Sequence, residues 1–548
     1  MSDESPDATS RAGNPTSDAV AAPIPAGLRV PAISRRRMLQ LGALGLGAFT
    51  AAPLLAACGS GSAGGAGGAG GDLVIVRSQD SVDMDKTMVF SNASIWVYQQ
   101  MYECLVAMTD DGQGVKPWLA ESYQMSPDNL SCTLKLRPGL KFHNGAPLTS
   151  ADVKFSIDES SKTSGGWEFI NAAIAEVTAP DDLTVVVTTK YPWAPLLADL
   201  SCPNNGIIPK DYGGKSKADF YTAPVGSGPF MWDTWQKGNF IRLKKNPAYW
   251  QPGKPAVDTV TWKVVPDDNS RAIQVQGGQA QINEAPPFSS ISQLQAMPNV
   301  KVDLFPSTRT DYVLMNQSRG PYADVHVRRA ISYALDRQAM VKNILFGNGQ
   351  AANSFMMPAA PYYDKDCQGI TYDMTKARQE LQMSSVPNGF TTTYLAMSGD
   401  TVDAAIAQIL QASLKELGIT MNIQNVDASA QHDMLTKMDY EIAHSYWTMD
   451  LADPDELAQY ALDPNSGGHS FDTGYNNPAL IDLVHQAQRE FDKTKRQALY
   501  NQIQQQAADS AFMGFLFYTP FPYSQSSNVS GFKVLPTGYY HLEDVTLS

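Results

Sequence analysis

Cysteine and histidine are scarce in this chain of 548 residues, which has only 5 Cys and 7 His. So few cysteines exclude a disulfide-rich scaffold, and no Cys-x-x-Cys pair or His-Glu-x-x-His spacing supports a zinc site. Basic residues are outnumbered too, since 41 Lys and Arg face 55 Asp and Glu, for a formal net charge of −14. Because no basic cluster follows the N-terminal region, we expect no nucleic-acid partner. Because the ligand spacings of metal sites are missing, we also expect no metal, and we expect no other cofactor.

Nucleotide-binding and nucleophile motifs are also missing. The chain has no Walker loop, no strand-linked Gly-x-Gly-x-x-Gly and no Gly-x-Ser-x-Gly elbow, so we do not expect an enzyme. Acid pairs such as Asp450 and Asp453 keep an exported hydrolase as an alternative of a different class. The 43% of apolar residues exclude a disordered chain, and the length predicts about two to four domains at roughly 150 residues each.

The first 57 residues differ in composition from the rest. A polar Pro/Ala/Ser-rich lead is followed by Arg35-Arg36-Arg37 and then by a Gly/Ala/Leu-rich run that ends at Cys58. This order predicts an export signal that resembles the twin-arginine type, with the Tat and Sec routes both open. Leu55-Ala56-Ala57-Cys58 resembles the lipobox of bacterial lipoproteins. An uncleaved membrane anchor over Met38–Ala57 is the alternative.

Strands and helices alternate in the mature chain. In the second half, Thr391–Ala396 predicts a strand, residues 402–417 a helix closed by Gly418, and Ile419–Gln424 a second strand, which together form a βαβ unit. Thr149-x-x-Asp152 is typical of a capping box. Further helical patterns cover residues 325–346, 479–491 and 494–508, and further strands are predicted at residues 73–78, 131–137, 183–188 and 513–518.

Four cysteines remain after Cys58. Cys104, Cys132, Cys202 and Cys367 are widely spaced and allow three disulfide pairings. Buried thiols and a single structural bridge both stay open.

Several sequence blocks resemble one known family, the extracellular solute-binding proteins of ABC importers in family 5, which includes the oligopeptide, dipeptide and nickel carriers. The blocks stand in family order along nearly the whole mature chain: Pro117–Tyr123, Leu136–Gly145, Leu148–Val153, Gly226–Phe230, Asn246–Trp250 and Val327–Arg337.

The resemblance implies an α/β, two-lobed periplasmic-binding-protein fold of class II, the large three-subdomain type, with the ligand cleft between the lobes. It implies a monomer that captures peptides by lobe closure and passes them to an ABC permease and ATPase complex for transmembrane transport. Cys58 would carry the lipid that holds the protein on the extracytoplasmic face of the bacterial cell membrane. The implied organisation is a signal peptide at 1–57, a tether at 58–71, lobe I at 72–312 with an extra subdomain at about 105–225, lobe II at 313–518 and a return to lobe I at 519–548.

The resemblance also places the ligand site. In peptide carriers of this family a Trp is followed three positions later by an Asp that binds the α-ammonium group of the ligand, and Trp447-Thr448-Met449-Asp450 has this spacing. Tyr446 and Thr448 would offer backbone groups to the peptide. The alternative is that Asp450 is one acid of a solvated loop.

Lobe I would contribute Phe90, Ser91 and Asn92, for which helix capping by Ser91 or Asn92 is the alternative. His444 would supply a cation for the carboxylate of the peptide. The Arg with which dipeptide carriers bind this carboxylate is missing from residues 396–400, which favours oligopeptides over dipeptides. A sugar, an opine or a nickel complex is the alternative ligand, and nutrient uptake and signalling are not distinguished.

Overall fold

The computed structural model describes residues 70–466 and 472–548. The predicted export signal and Cys58 lie outside the described residues. Within the described part, no helix has both the length and the apolar character that crossing a membrane requires.

The strands, in chain order, are β1 (Asp72–Arg77), β2 (Val106–Met108), β3 (Val115–Pro117), β4 (Ala120–Met125), β5 (Ser131–Leu136), β6 (Ile174–Asp181), β7 (Thr184–Thr189), β8 (Phe230–Gln236), β9 (Phe240–Lys245), β10 (Thr259–Val264), β11 (Ile282–Glu284), β12 (Val300–Phe305), β13 (Arg309–Met315), β14 (Gln350–Ala351), β15 (Thr391–Met397), β16 (Thr420–Val426), β17 (Ile442–Thr448), β18 (Gly514–Tyr518), β19 (Phe521–Ser526), β20 (Val529–Ser530) and β21 (Thr546–Leu547). The α-helices are Asn92–Tyr98, Ser150–Lys162, Leu196–Asp199, Lys217–Thr222, Asp268–Gln276, Ile291–Gln295, Val325–Tyr333, Arg337–Ile344, Met374–Met383, Thr401–Lys415, Ala428–Thr436, Asp455–Leu462, Pro478–Arg489 and Lys493–Ser510.

Lobe I is built on a seven-stranded sheet in the order β12-β19-β11-β1-β10-β9-β8. The central strand β1 pairs in parallel with both β10 and β11. Its near-continuous apolar run, Leu73-Val74-Ile75-Val76, suits a strand that is covered on both faces. The predicted strand at residues 73–78 is therefore confirmed.

A smaller antiparallel sheet, in the order β4-β5-β7-β6, packs against the helix Ser150–Lys162. Thr149 and Asp152 form the predicted capping box, in which the Thr149 backbone N–H donates to Asp152 Oδ2 at 2.8 Å. This sheet spans residues 120–189, within the range predicted for the extra subdomain.

Lobe II is built on a six-stranded sheet in the order β14-β18-β13-β17-β15-β16. β15 and β16 pair in parallel on either side of the helix Thr401–Lys415, as the predicted βαβ unit requires. Asp400 caps this helix through the backbone N–H groups of Val402 and Asp403. After the helix, Gly418 adopts a φ of 76°, a left-handed conformation that glycine allows without strain.

The helical pattern predicted over residues 325–346 is divided in the structure. One helix ends at Tyr333 and a second begins at Arg337, because the Asp336 carboxylate accepts from the Ala339 N–H at 2.9 Å and starts a new N-terminus.

The four cysteines at 104, 132, 202 and 367 are all free thiols. Of the open alternatives, the structure shows buried or half-buried thiols.

The chain passes between the two sheets twice, first between β12 and β13 and then between β18 and β19. Ser307 on the first crossing donates its hydroxyl proton to the Thr519 carbonyl on the second, so the two crossings lie side by side. Two α/β lobes joined by adjacent crossings confirm the predicted two-lobed fold.

Candidate functional site

The predicted Trp447–Asp450 segment lies at the end of β17, where lobe II meets lobe I. β17 pairs antiparallel with β13, and Thr448 faces Arg309 across the ladder. Because side chains alternate along a strand, Tyr446 and Thr448 share one face of the sheet and Trp447 lies on the other. Asp450 follows two residues after the strand ends.

Asp450 is buried between the lobes, with only 5% of its surface exposed. Tyr539, from the C-terminal segment of lobe I, donates its hydroxyl proton to Asp450 Oδ1 at 3.1 Å. The next two residues, Leu451 and Ala452, pack into the hydrophobic core of lobe I. Asp450 is thus a buried acid at the lobe interface, which argues against the alternative of a solvated loop.

A second buried acid, Glu456, lies against Asp450. Glu456 Oε2 accepts the backbone N–H of Asp450 at 2.9 Å, and the two carboxyl groups are within hydrogen-bonding reach of each other. Burial raises the pKa of both groups, and the Asp450 charge raises that of Glu456 further. The pair therefore favours sharing a proton unless a cation is present.

Three polar oxygen atoms of this region make no hydrogen bond of ordinary geometry with a described residue. They are the hydroxyl of Tyr98, which lies close enough to Asp450 for that charge to raise its pKa beyond the effect of burial, Thr448 Oγ1, and Glu456 Oε1. The Trp447 side chain is nevertheless near enough to Glu456 to favour its charged form. Buried polar atoms without partners are costly, so an arrangement of this kind suits a polar ligand group.

Aromatic rings cross the interface beside the acid pair. Phe90 stacks on Trp167 with centroids 4.5 Å apart, and Trp167 stacks on Phe169 at 5.8 Å. Phe169 then contacts Tyr460 of lobe II at 4.6 Å, and Tyr460 contacts Trp447 at 5.1 Å. We call these five residues the aromatic row. It connects Phe90 and Trp447, both predicted site residues, through a series of ring contacts.

Ser91 and Asn92 lie at the start of the helix Asn92–Tyr98. Ser91 occupies the N-cap position, and its carbonyl accepts from Ser94 and Ile95, but its hydroxyl makes no capping hydrogen bond. The capping alternative therefore holds for the backbone of Ser91 and not for its side chain. The ligand contacts of Phe90, Ser91 and Asn92 stay predictions.

His444 is buried inside lobe II. Its Nε2 lies 3.1 Å from Asp311 Oδ1 and its Nδ1 lies 4.0 Å from Asp403 Oδ1. Asp311 also accepts two hydrogen bonds from Arg309, at 2.7 and 3.0 Å, and one from Thr519 at 2.6 Å. These contacts hold His444 within the lobe, and its predicted role toward a ligand carboxylate stays a prediction.

Sequence reasoning missed Arg309, which lies on the Tyr446 ring with its guanidinium carbon 3.7 Å from the ring centroid. Burial opposes its charge, but Asp311, Tyr446 and Asp400 together raise its pKa. The Arg309 guanidinium is thus a positive charge near Asp400.

The sequence profile of the bacterial extracellular solute-binding proteins, family 5 (middle region), matches residues 114–469. The chain is 29% identical over 493 residues to the glutathione-binding protein GsiB of Escherichia coli strain K12, covering 87% of this chain and 94% of that protein.

Two solved structures are also similar to this chain over most of its length. The periplasmic binding protein DppA of Helicobacter pylori, in complex with the peptide STSA, has a TM-score of 0.79 at 29% identity, covering 87% of this chain and 98% of that one. The oligopeptide-binding protein AppA of Bacillus subtilis, in complex with a nonapeptide, has a TM-score of 0.77 at 26% identity, covering 87% and 99%.

Proposed function

The chain belongs to the bacterial extracellular solute-binding proteins of family 5, and from this premise we propose that it captures peptides with a free amino terminus between its two lobes. The observation that carries the proposal is the position of Asp450. It is a carboxylate buried at the lobe interface, bonded by Tyr539 of one lobe and attached to the sheet of the other. A peptide ammonium group bound there would contact both lobes and favour their closed arrangement.

The end of β17, which lies beside Asp450, supports the proposal that the ligand is an extended peptide. Tyr446, half-exposed at 45%, and Thr448 lie at the end of β17, where their backbone groups can pair with a peptide without reading its side chains. On the lobe I side, the ligand would contact Phe90, Ser91 and Asn92. The H. pylori and B. subtilis proteins were solved with a tetrapeptide and a nonapeptide, which supports oligopeptides, while the relative named for glutathione supports a short peptide.

The experiment is calorimetric titration of the full-length protein, freed of co-purified ligand, with Ala-Ala-Ala and with its N-acetylated form. A charge-assisted hydrogen bond contributes about 1.5–3 kcal/mol, so acetylation should raise Kd by about 10- to 100-fold. Asp450→Asn should have a similar effect on the free peptide. Asp366→Asn, a change at an acid that is 80% exposed, is the matched control and should leave Kd unchanged.

Unchanged binding of the free peptide by Asp450→Asn would remove Asp450 from the site. Equal binding of both peptide forms by the wild-type protein would contradict amino-terminal recognition, and the search would then turn to non-peptide solutes.

We further propose that the protein is exported, lipid-anchored through Cys58 on the extracytoplasmic face, and delivers its ligand to an ABC permease and ATPase complex. The Arg35–Arg37 run and the Leu55–Cys58 motif support export and lipid anchoring, and membership of the family supports the delivery step. Cys58→Ser should release the protein from membranes in cell fractionation, and Ser60→Ala in the same tether should not. Continued membrane retention of Cys58→Ser would favour an uncleaved anchor.

A further inference from the structure

Asp450 alone would balance the single charge of a peptide ammonium group, yet the structure provides a second acid at the same place. Glu456 is 1% exposed, and its carboxyl group lies within hydrogen-bonding reach of that of Asp450. It is the second residue of the helix Asp455–Leu462, so it is fixed by regular secondary structure rather than by a mobile loop.

Among the described residues, no basic side chain is found to act on either acid of this pair. Arg309 is committed to Asp311 by two hydrogen bonds, and Arg496 to Asp453 by two more, one of them 2.8 Å long. Each of those arginines thus balances one aspartate of its own. With both acids ionised, the Asp450–Glu456 site would carry two negative charges, and one ammonium group would balance only one of them.

The unpartnered atoms around the pair point to a ligand rather than to packing. The Tyr98 hydroxyl from lobe I is fully buried, and it and Thr448 Oγ1 have no hydrogen-bond partner among the described residues. Glu456 Oε1 makes no hydrogen bond of ordinary geometry with a described residue. All three are oxygens that can accept a hydrogen bond, and an alkylammonium group has three N–H donors and no acceptor. Their chemistry therefore fits a cationic group in addition to the one that Asp450 binds.

Apolar surface for the stem of such a group lies alongside. Tyr460 is near enough to both acids for their charges to add to the effect of burial in raising its pKa, and its ring contacts those of Phe169 and Trp447. The aliphatic part of a lysine or arginine side chain packs well on aromatic rings, and its charge is attracted to their faces.

We infer that the site selects peptides with a basic first residue, whose two positive charges match the two carboxylates of Asp450 and Glu456. This inference rests on the proposed function, because Asp450 is taken to hold the α-ammonium group. Of the described cations near the site, Arg309 and His444 both contact Asp311. Because two acids at one site repel negative charge, we expect anionic peptides such as glutathione to bind more weakly than basic ones.

Three peptides that differ only in the first residue test the inference on the unmodified full-length protein. In calorimetric titration at pH 6.5, Lys-Ala-Ala should bind at least about tenfold more tightly than Ala-Ala-Ala, and Glu-Ala-Ala more weakly than both. Titration in two buffers of different ionisation enthalpy should show about one more proton released with Lys-Ala-Ala, because the second charge displaces the proton that the acid pair shares.

Glu456→Gln keeps the size of the side chain and removes its charge. The ratio of the Kd values for Ala-Ala-Ala and Lys-Ala-Ala should fall to within about twofold of unity in this variant. The exposed acid Glu121 provides the matched control, since Glu121→Gln should keep the wild-type ratio.

The outcomes distinguish failure of this inference from failure of the proposed function. Equal binding of Lys-Ala-Ala and Ala-Ala-Ala by the wild-type protein, with sensitivity to N-acetylation retained, overturns the inference and leaves the proposed function intact. An unchanged ratio in Glu456→Gln also overturns it. Absence of binding by all three peptides overturns both.

Discussion

Two buried acidic sites of this protein have the same chemistry and opposite surroundings. Glu103 in lobe I is 5% exposed, and burial raises its pKa to about 7. It accepts four hydrogen bonds of 2.9–3.0 Å, from Trp118, Ser227, Tyr249 and Trp250. Among the described residues, the Asp450–Glu456 pair has one side-chain donor from the other lobe, Tyr539, and lies beside buried polar atoms that have no hydrogen-bond partner of ordinary geometry.

The local sequence explains how the Glu103 carboxyl group can accept four hydrogen bonds. A Cβ at Gly226 would lie 1.9 Å from the Met101 carbonyl, so only glycine lets the Gly226-Ser227-Gly228 turn approach this closely and bring Ser227 to Glu103. An acid whose acceptor sites are filled by its own lobe is structural. A buried acid at the lobe interface that lies beside polar atoms without partners supports the binding role proposed for Asp450.

The largest effect should come from Glu103→Ala. Four donors would lose their acceptor in a buried site, and each unsatisfied group costs about 1–3 kcal/mol, so we expect a loss of at least about 3 kcal/mol in the free energy of unfolding. Denaturant unfolding of the unliganded protein measures it. Glu121→Ala on the surface is the control, and an equal stability of the two variants would contradict a structural role for Glu103.

Next in size is the pH dependence of peptide affinity. Burial raises the pKa of Asp450 to about 7, so the pair holds additional protons below that pH, and these must leave when an ammonium group binds. The described groups that face Asp450 are Tyr98, Cys202 and Tyr539 from lobe I and Glu456 and Tyr460 from lobe II, and burial raises the pKa of each of them.

Affinity for Ala-Ala-Ala should therefore fall by about 10-fold or more between pH 7.5 and pH 5.5, and fall again above about pH 8, where the peptide amine loses its proton. Calorimetric titration across this range checks the profile. Asp450→Asn should flatten its acid side, and a wild-type profile that is flat from pH 5.5 to 7.5 would contradict proton displacement.

A pair of hydroxyl deletions compares the two sites directly. Tyr539→Phe removes a donor to Asp450 and should change peptide affinity by about three- to tenfold, since a hydrogen bond contributes about 0.5–1.5 kcal/mol. Tyr249→Phe removes a donor to Glu103 and should lower stability by a similar free energy with affinity unchanged. A reversed pattern, with affinity lost at Tyr249 and stability lost at Tyr539, would refute the distinction.

The smallest effect is expected for the free energy of unfolding when one acid of the Asp450–Glu456 pair is replaced. Asp450→Asn replaces one of two adjacent carboxyls by a neutral amide, which relieves repulsion at high pH. We expect the unliganded variant at pH 8 to be as stable as the wild type or more stable by up to about 1 kcal/mol in denaturant unfolding. A loss of several kcal/mol would show that Asp450, like Glu103, is a structural acid.

Much of the fold could be predicted because its signals are local. The period of the apolar residues around Thr401–Lys415 and the Thr149–Asp152 capping box each report a neighbourhood of a few residues, and the structure agrees with both. The division at Asp336 was missed because apolar periodicity continues across the new N-cap.

The site could be predicted only in part, because its members are distant in sequence. Asp450 is found from the Trp447–Asp450 spacing, but Tyr539 is 89 positions away and reaches Asp450 only through the return of the chain to lobe I. Glu456 has no motif of its own, and its proximity to Asp450 depends on how the following helix folds back. Arg309 is likewise placed by the pairing of β13 with β17.

The strand order of lobe I has a consequence for biosynthesis. β19 lies between β11 and β12, although it starts at residue 521 and both of those strands end before residue 306. Edge strand β12 pairs with no strand except β19 among the described residues. While the ribosome is still making lobe II, the lobe I sheet therefore remains incomplete, and a chain truncated before residue 521 should leave β12 unpaired and prone to aggregation.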